Sequence, residues 1–341
     1  MSTIETTKTI ELKKDNRDYF FDNLRALLIF CVVLCHGIET ARGSSESLAL
    51  FHELVLCFVM PMFVFVTGYF AKSQDTHGSP KRMKIINLIV LYIICQIIKM
   101  IIFGQTSFIR PSYANWYIVA IIIWYYILPT VSKAKVWVAL VIAIFIAVTL
   151  GSDPYINEVL QLSRVIGFLP YFILGYACNT SIAKKLQSRK MQIVEAGILI
   201  ICIGVYSLLM YGSIPLGILH YTSCYSNMGY SFLIGAILKI IMYAFSVCMC
   251  VGICAIIPRK KCFFSVIGKR TLPIYIFHTI IYSYIICYTD ILDQIANAHN
   301  TLLLFIVFSL VMTVICANKL FDKMLAKLMG IDFGFLLKNK Y

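Results

Sequence analysis

An aspartate, an arginine and a histidine fall on one face of the first long apolar segment, at Asp22, Arg25 and His36. At about 3.6 residues per turn, eleven residues close about three turns, so Arg25 and His36 point the same way. Asp22, three residues before Arg25, joins them. A charged side chain in a lipid-spanning helix costs roughly 2.5–3.5 kcal/mol on insertion scales and usually faces a cavity or the bundle interior. Imidazole, with an ordinary pKa of about 6.5, accepts a proton near neutral pH in its neutral form. Guanidinium holds phosphate or carboxylate oxygens through paired N–H groups. This face therefore offers a cation at one depth and a proton acceptor about 16 Å farther along. Such a face fits a long ligand that is anionic at one end and reactive at the other. The plainer reading of His36 is a histidine packed between helices and bonded to a carbonyl or hydroxyl.

The elements that must position these groups follow from composition. Of 341 residues, 60% are hydrophobic and 13% charged, and mean hydropathy is +0.84. Those values exclude an ordinary soluble domain and imply an all-α integral membrane protein, because helices satisfy their own backbone hydrogen bonds in lipid. The net charge of +14 does not point to nucleic acid, since the basic residues punctuate the apolar runs and read as topology signals and headgroup contacts. Most of the thirteen cysteines sit inside apolar stretches and act as small hydrophobes; no disulfide framework is expected. No metal-ligand spacing is present, so no metal is expected.

Apolar segments of spanning length fall near 23–41, 48–71, 85–104, 113–131, 135–151, 162–180, 192–211, 229–257, 271–289 and 301–319, which predicts about ten transmembrane helices. Lys and Arg concentrate in alternate connections, such as Lys81, Arg82 and Lys84, or Arg259, Lys260 and Lys261. By the positive-inside rule this alternation puts both termini in the cytoplasm. The expected organisation is a cytoplasmic segment at 1–20, one transmembrane domain at 21–330 and a cytoplasmic tail at 331–341. The N-terminal stretch has no apolar core, so no cleavable signal is expected.

Several motifs then accumulate in order. Arg25 and His36, with ten residues between them in a helix led by Asp22-Asn23-Leu24, resemble the signature of the membrane-bound acyltransferase 3 family. Phe58-Val59-Met60-Pro61-Met62-Phe63-Val64-Phe65-Val66-Thr67-Gly68-Tyr69 is similar to a segment of the branch containing fucose 4-O-acetylase-like enzymes. It departs from that branch with Val59 for the frequent His and Thr67 for the usual Ser. Ser79-Pro80-Lys81-Arg82, Asn115-Trp116-Tyr117, Arg164 with Phe168-Leu169-Pro170-Tyr171, and Leu272-Pro273-Ile274-Tyr275-Ile276-Phe277-His278 extend the resemblance over nearly the whole chain.

The resemblance implies transfer of an acyl group, by default acetyl, from cytoplasmic acetyl-CoA to a hydroxyl of a cell-envelope or lipid-linked carbohydrate. The chain would sit as a multi-pass protein in a plasma membrane, by family a bacterial one. Acyl-CoA is then a donor substrate, with no permanently bound cofactor. Asp22, Arg25, Lys81, Arg82 and His278 are the expected donor-binding residues. His36 would deprotonate the acceptor hydroxyl or carry the acyl group itself. Glu53, at similar depth, would orient the imidazole or meet the sugar; His52 points about 100° away from Glu53, so at most one of the two faces His36. Arg164, Asn115 and Trp116 are the expected acceptor contacts. His220 and His299 fall in outer loops and read as solvated, and Gly68 reads as a close helix contact. The competing class is an exporter of surface polysaccharide or lipid-linked sugar on the same fold. Two related halves with broken helices would mark a transporter, and the sequence shows no internal repeat.

Overall fold

The computed structural model describes residues 18–72, 78–104, 108–111, 113–156 and 158–331. Of the expected termini, 1–17 and 332–341 lie outside the described residues. Every α-helix and its connections build one all-helical bundle, with no strand among the described residues.

The chain opens with α1 (Tyr19–Ala41), whose first turn is capped by Asp18 Oδ1 accepting from Phe20 N at 3.1 Å. Next come α2 (Glu46–Leu56), capped by Ser45, and α3 (Val59–Ala71). The break between these two falls just before Pro61, which lacks the N–H that a continuous helix would need there. Then follow α4 (Gly78–Phe103), α5 (Trp116–Val131), α6 (Val136–Thr149) and α7 (Leu162–Ala177). The middle of the chain holds α8 (Thr180–Leu186), α9 (Arg189–Val205, continued as a π turn over Tyr206–Met210), α10 (Leu216–His220) and α11 (Phe232–Ile253). The chain ends with α12 (Ser265–Gly268), α13 (Thr271–Tyr288), α14 (Ile291–Ala296), α15 (Thr301–Cys316) and α16 (Lys319–Met329).

Among the described residues, six helical stretches are long and apolar enough to cross a membrane, and up to eight if two sharply bent pairs, α7 with α8 and α15 with α16, each count as one. The expected spans at 113–131 and 135–151 are the shorter apolar helices Trp116–Val131 and Val136–Ser152, at or below the roughly 17 residues at which a crossing begins. By length and composition, the described residues support six to eight of the expected ten spans. Large apolar side chains cover the outside of the bundle, among them Phe145, Ile193, Ile200 and Leu208 at 69%, 78%, 72% and 83% exposure. That surface suits lipid rather than water.

A close backbone-to-backbone seam joins α3 to α7. A Cβ on Gly68 would strike the Phe172 carbonyl, and one on Gly175 would strike the Phe65 carbonyl. The two glycines let backbone approach backbone, as small residues do between membrane helices. Polar side chains reach across helices to spare carbonyls: Trp124 Nε1 donates to Val165 O at 3.0 Å and Tyr243 Oη to Gly167 O at 2.7 Å. A buried asparagine ties the start of α1 to the chain before α12. Asn23 Nδ2 donates to Pro258 O (2.8 Å) and Lys260 O (2.9 Å), and its Oδ1 accepts from Ser265 Oγ (2.7 Å). Alongside, Gly268 packs against the Asp22 backbone, where no side chain would fit.

Candidate active site

Four-fifths of the way along α1, His36 opens into a cavity of about 230 Å³. Glu39, one turn later on the same face, lines it too. From α2 comes His52, whose Nε2 lies 3.1 Å from Glu39 Oε2. Trp116 at the start of α5 and Arg164 at the start of α7 form another wall, with the guanidinium 5.3 Å over the indole ring and Phe168 stacked on that ring at 5.2 Å. His220, the last residue of α10, closes the opposite side, its ring 6.5 Å from that of His52. One carboxylate, one guanidinium and three imidazoles therefore converge on one space floored by apolar side chains. Among the described residues, no three His, Cys, Asp or Glu side chains form a group able to hold a metal ion.

Behind His36 stands His278 of α13, the ring centroids 5.4 Å apart. His278 Nδ1 lies 2.7 Å from Ile274 O. A carbonyl only accepts, so Nδ1 carries the proton and Nε2 keeps the lone pair. That Nε2 is buried and has no hydrogen-bond partner among the described residues. Tyr275, one turn earlier, lines the cavity with its ring 5.9 Å from His278, and its hydroxyl donates to Ala114 O, which fixes α13 against the start of α5.

The structure separates the other expected site residues. Asp22 and Arg25 pair with each other at 2.6 Å at the opposite end of α1, and Arg25 also lies 5.1 Å over the Phe70 ring. Neither lines the His36 cavity. Lys81 and Arg82 fall in the first turns of α4, but their side chains lie outside the described residues. Glu53 is buried and turned away from the cavity: it bonds Arg42, and its Oε2 accepts from Tyr206 Oη at 2.9 Å. Of the adjacent pair on α2, His52 is the one that faces the cavity. Asn115 donates from Nδ2 to Gln96 Oε1 at 3.0 Å, tying α5 to α4 while its neighbours Ala114 and Trp116 line the cavity.

His220 corrects the expectation of a solvated loop histidine. The 211–228 connection folds back over the bundle, and burial pushes the His220 imidazole well below its ordinary pKa, so it is neutral at neutral pH. Sequence reasoning also passed over Glu39 and Tyr275. Glu39 was within reach, since the three-residue spacing that links Asp22 to Arg25 also links His36 to Glu39. For His220 no local signal exists.

A family described as an acyltransferase domain matches residues 18–317. No curated protein and no solved structure matches the chain.

Proposed function

The chain belongs to the acyltransferase domain family, and we propose that it is a membrane O-acyltransferase that moves an acyl group, acetyl by default, from acyl-CoA to a carbohydrate hydroxyl. The observation that carries this reading is the His36 cavity, where a proton acceptor sits among an arginine, an indole and a carboxylate inside the matched domain. In the reaction, the acceptor hydroxyl gives its proton to His36 as its oxygen attacks the thioester carbonyl. The carbonyl–sulfur bond breaks, the acyl group stays on the sugar oxygen, and the thiolate leaves and takes up the proton. A histidine that first accepts the acyl group and then passes it on gives the same balance in two steps.

Trp116 and Arg164 suit the acceptor. The indole, with Phe168 stacked on it and the guanidinium over it, holds Arg164 in the cavity wall, where its N–H groups suit sugar hydroxyls. Arg25, at the end of α1 where the basic connections cluster, suits the donor's phosphates, with the reactive end reaching toward His36 about 16 Å away. On this reading the Arg25 end is cytoplasmic, the acceptor enters from the other side, and the acceptor belongs to an envelope or lipid-linked glycan. Kinship with fucose 4-O-acetylase-like enzymes is part of the same reading, carried by the Phe58–Tyr69 segment. The family match favours transfer over export.

The test is incorporation of radiolabelled acetyl from acetyl-CoA into glycan in membranes expressing the chain, wild type beside His36→Ala at matched expression. Labelling that disappears with His36→Ala is expected. Equal labelling in both would remove His36 from the chemistry. No labelling in either, with other acyl donors and a supplied acceptor also giving none, would overturn the acyl-transfer reading.

A further inference from the structure

A second cavity of about 210 Å³ lies behind the wall of the first. The two share that wall residue by residue. On α7, Ser163 faces the second cavity and Arg164 the first; at α10, Ile218 faces the second, and Leu219 and His220 the first. None of the residues so far given a part in acyl transfer lines it.

Its chemistry is unlike that of a packing void, which is apolar and dry. Thr222, Ser223 and Asn227 contribute hydroxyl and amide groups. Lys239 of α11, 6% exposed, comes from within the apolar helix. Its Nζ donates to Ala147 O at 2.7 Å and lies 5.3 and 5.8 Å over the rings of Tyr221 and Tyr225. Among the described residues no carboxylate comes within ion-pair reach of it. A lysine in a membrane helix ordinarily marks a ligand path or a paired charge, and an ammonium has three N–H groups to place.

The lining also selects the ligand's charge. Arg110 and Lys239 are basic, while Asp153 and Glu158 are acidic. Arg110 already pairs with Glu158 at 2.9 Å, and Asp153 Oδ1 accepts from Tyr155 N at 2.7 Å. The lining is therefore balanced in sign and suits a neutral ligand rich in donors and acceptors better than a phosphate or a carboxylate. The volume falls below the roughly 300–1,000 Å³ of a drug-sized site, which fits one ring rather than a chain.

We infer that this cavity binds a neutral sugar unit, the neighbour of the one whose hydroxyl reaches His36. The role as a neighbour subsite rests on the acyl-transfer reading; the sugar binding itself does not. A glycan crossing the α10 wall would seat successive rings in the two cavities, and the second ring would hold the first in register.

The test uses the full chain in lipid nanodiscs without acyl donor. Binding of methyl fucoside, methyl glucoside, maltose and glucuronate is followed by saturation-transfer NMR and titration. A neutral sugar is expected to bind, glucuronate to bind more weakly, and Thr222→Trp and Asn227→Leu each to weaken the neutral sugar tenfold or more. Thermal unfolding checks that each variant is folded; Asn227→Leu, close in volume, carries the test should Thr222→Trp fail to fold. Binding undiminished in the folded variants, tighter binding of glucuronate, or no neutral sugar bound by wild type overturns the inference. Because binding is read without donor, sugar binding here together with no labelling in the transfer assay, from any acyl donor and with a supplied acceptor, would refute the acyltransferase reading and leave this site standing.

Discussion

Replacing Arg42 by Met should destabilise the protein strongly without touching the chemistry, and a second substitution should restore most of the loss. Glu53 is 3% exposed and bonds Arg42 on one oxygen and Tyr206 on the other. Arg42→Met leaves that carboxylate buried with one donor. Removing one partner of a fully buried pair costs about 3–5 kcal/mol. Arg42 is 32% exposed, so water screens part of the interaction and about 2–3 kcal/mol is the expected loss. In Arg42→Met with Glu53→Gln no charge is stranded, and the amide oxygen still accepts from Tyr206. That double variant should lie within about 1 kcal/mol of wild type, a coupling of at least ~1 kcal/mol. The assay is equilibrium unfolding of the purified chain in detergent for all four members of the cycle, with acyl transfer measured per folded molecule. Glu53→Gln should retain transfer. A Glu53→Gln protein as stable as wild type but unable to transfer would refute the anchoring role and return Glu53 to the chemistry. An Arg42→Met protein as stable as wild type would show that the pair contributes nothing.

Four further outcomes follow from the packing and the site. Gly175→Ala should destabilise by about 3 kcal/mol or more, because the new methyl meets the Phe65 carbonyl rather than a yielding side chain. Gly197→Ala, with nothing near its Cβ, should be neutral or stabilising by up to ~1 kcal/mol; equal thermal shifts for the two would refute the α3–α7 seam. His278→Gln should lower the rate of acyl transfer by about 10²-fold or more while leaving the unfolding temperature near wild type, if the Nε2 lone pair behind His36 serves proton transfer; an unchanged rate would reduce it to packing. Asn23→Leu should lose about 2–3 kcal/mol by stranding two carbonyls and a hydroxyl, read by unfolding and by earlier proteolysis at 258–265. His220 is held neutral in the fold, whereas the unfolded chain protonates it below about pH 6.5. Its contribution to stability is therefore complete above that pH and falls, by at most about 1.4 kcal/mol per unit, as pH drops below it; His220→Phe should flatten that part of the profile, and an unaltered pH dependence would contradict the burial.

Composition and the length of the apolar runs were enough to make this chain a helical membrane protein, because a continuous apolar run of spanning length satisfies its own backbone in lipid as a helix. The capping residues Asp18, Ser45, Asn179, Ser188 and Ser231 mark helix starts by local chemistry, since each accepts from an N–H within three residues. The Asp22–Arg25 pair and the shared face of His36 and Glu39 are likewise fixed by a helix repeat that involves no other element. The number of membrane crossings was less legible, because an apolar run shows that a helix is greasy and not whether it is straight, broken or long enough. The partners of His36 were beyond local reasoning. Glu53 and His52 are adjacent in sequence and both ionisable; only the position of Tyr206 and Arg42 decides that the glutamate turns away and the histidine turns in. His278 meets His36 across 242 residues of chain, and His220 arrives on a loop that reads as solvated. The spacing of side chains along one helix is set by the backbone's own geometry, so the sequence determined it. Which helix faces which, and therefore which imidazoles share a cavity, depends on contacts such as Gly68 and Gly175 against opposing carbonyls, and these exist only once the helices have packed.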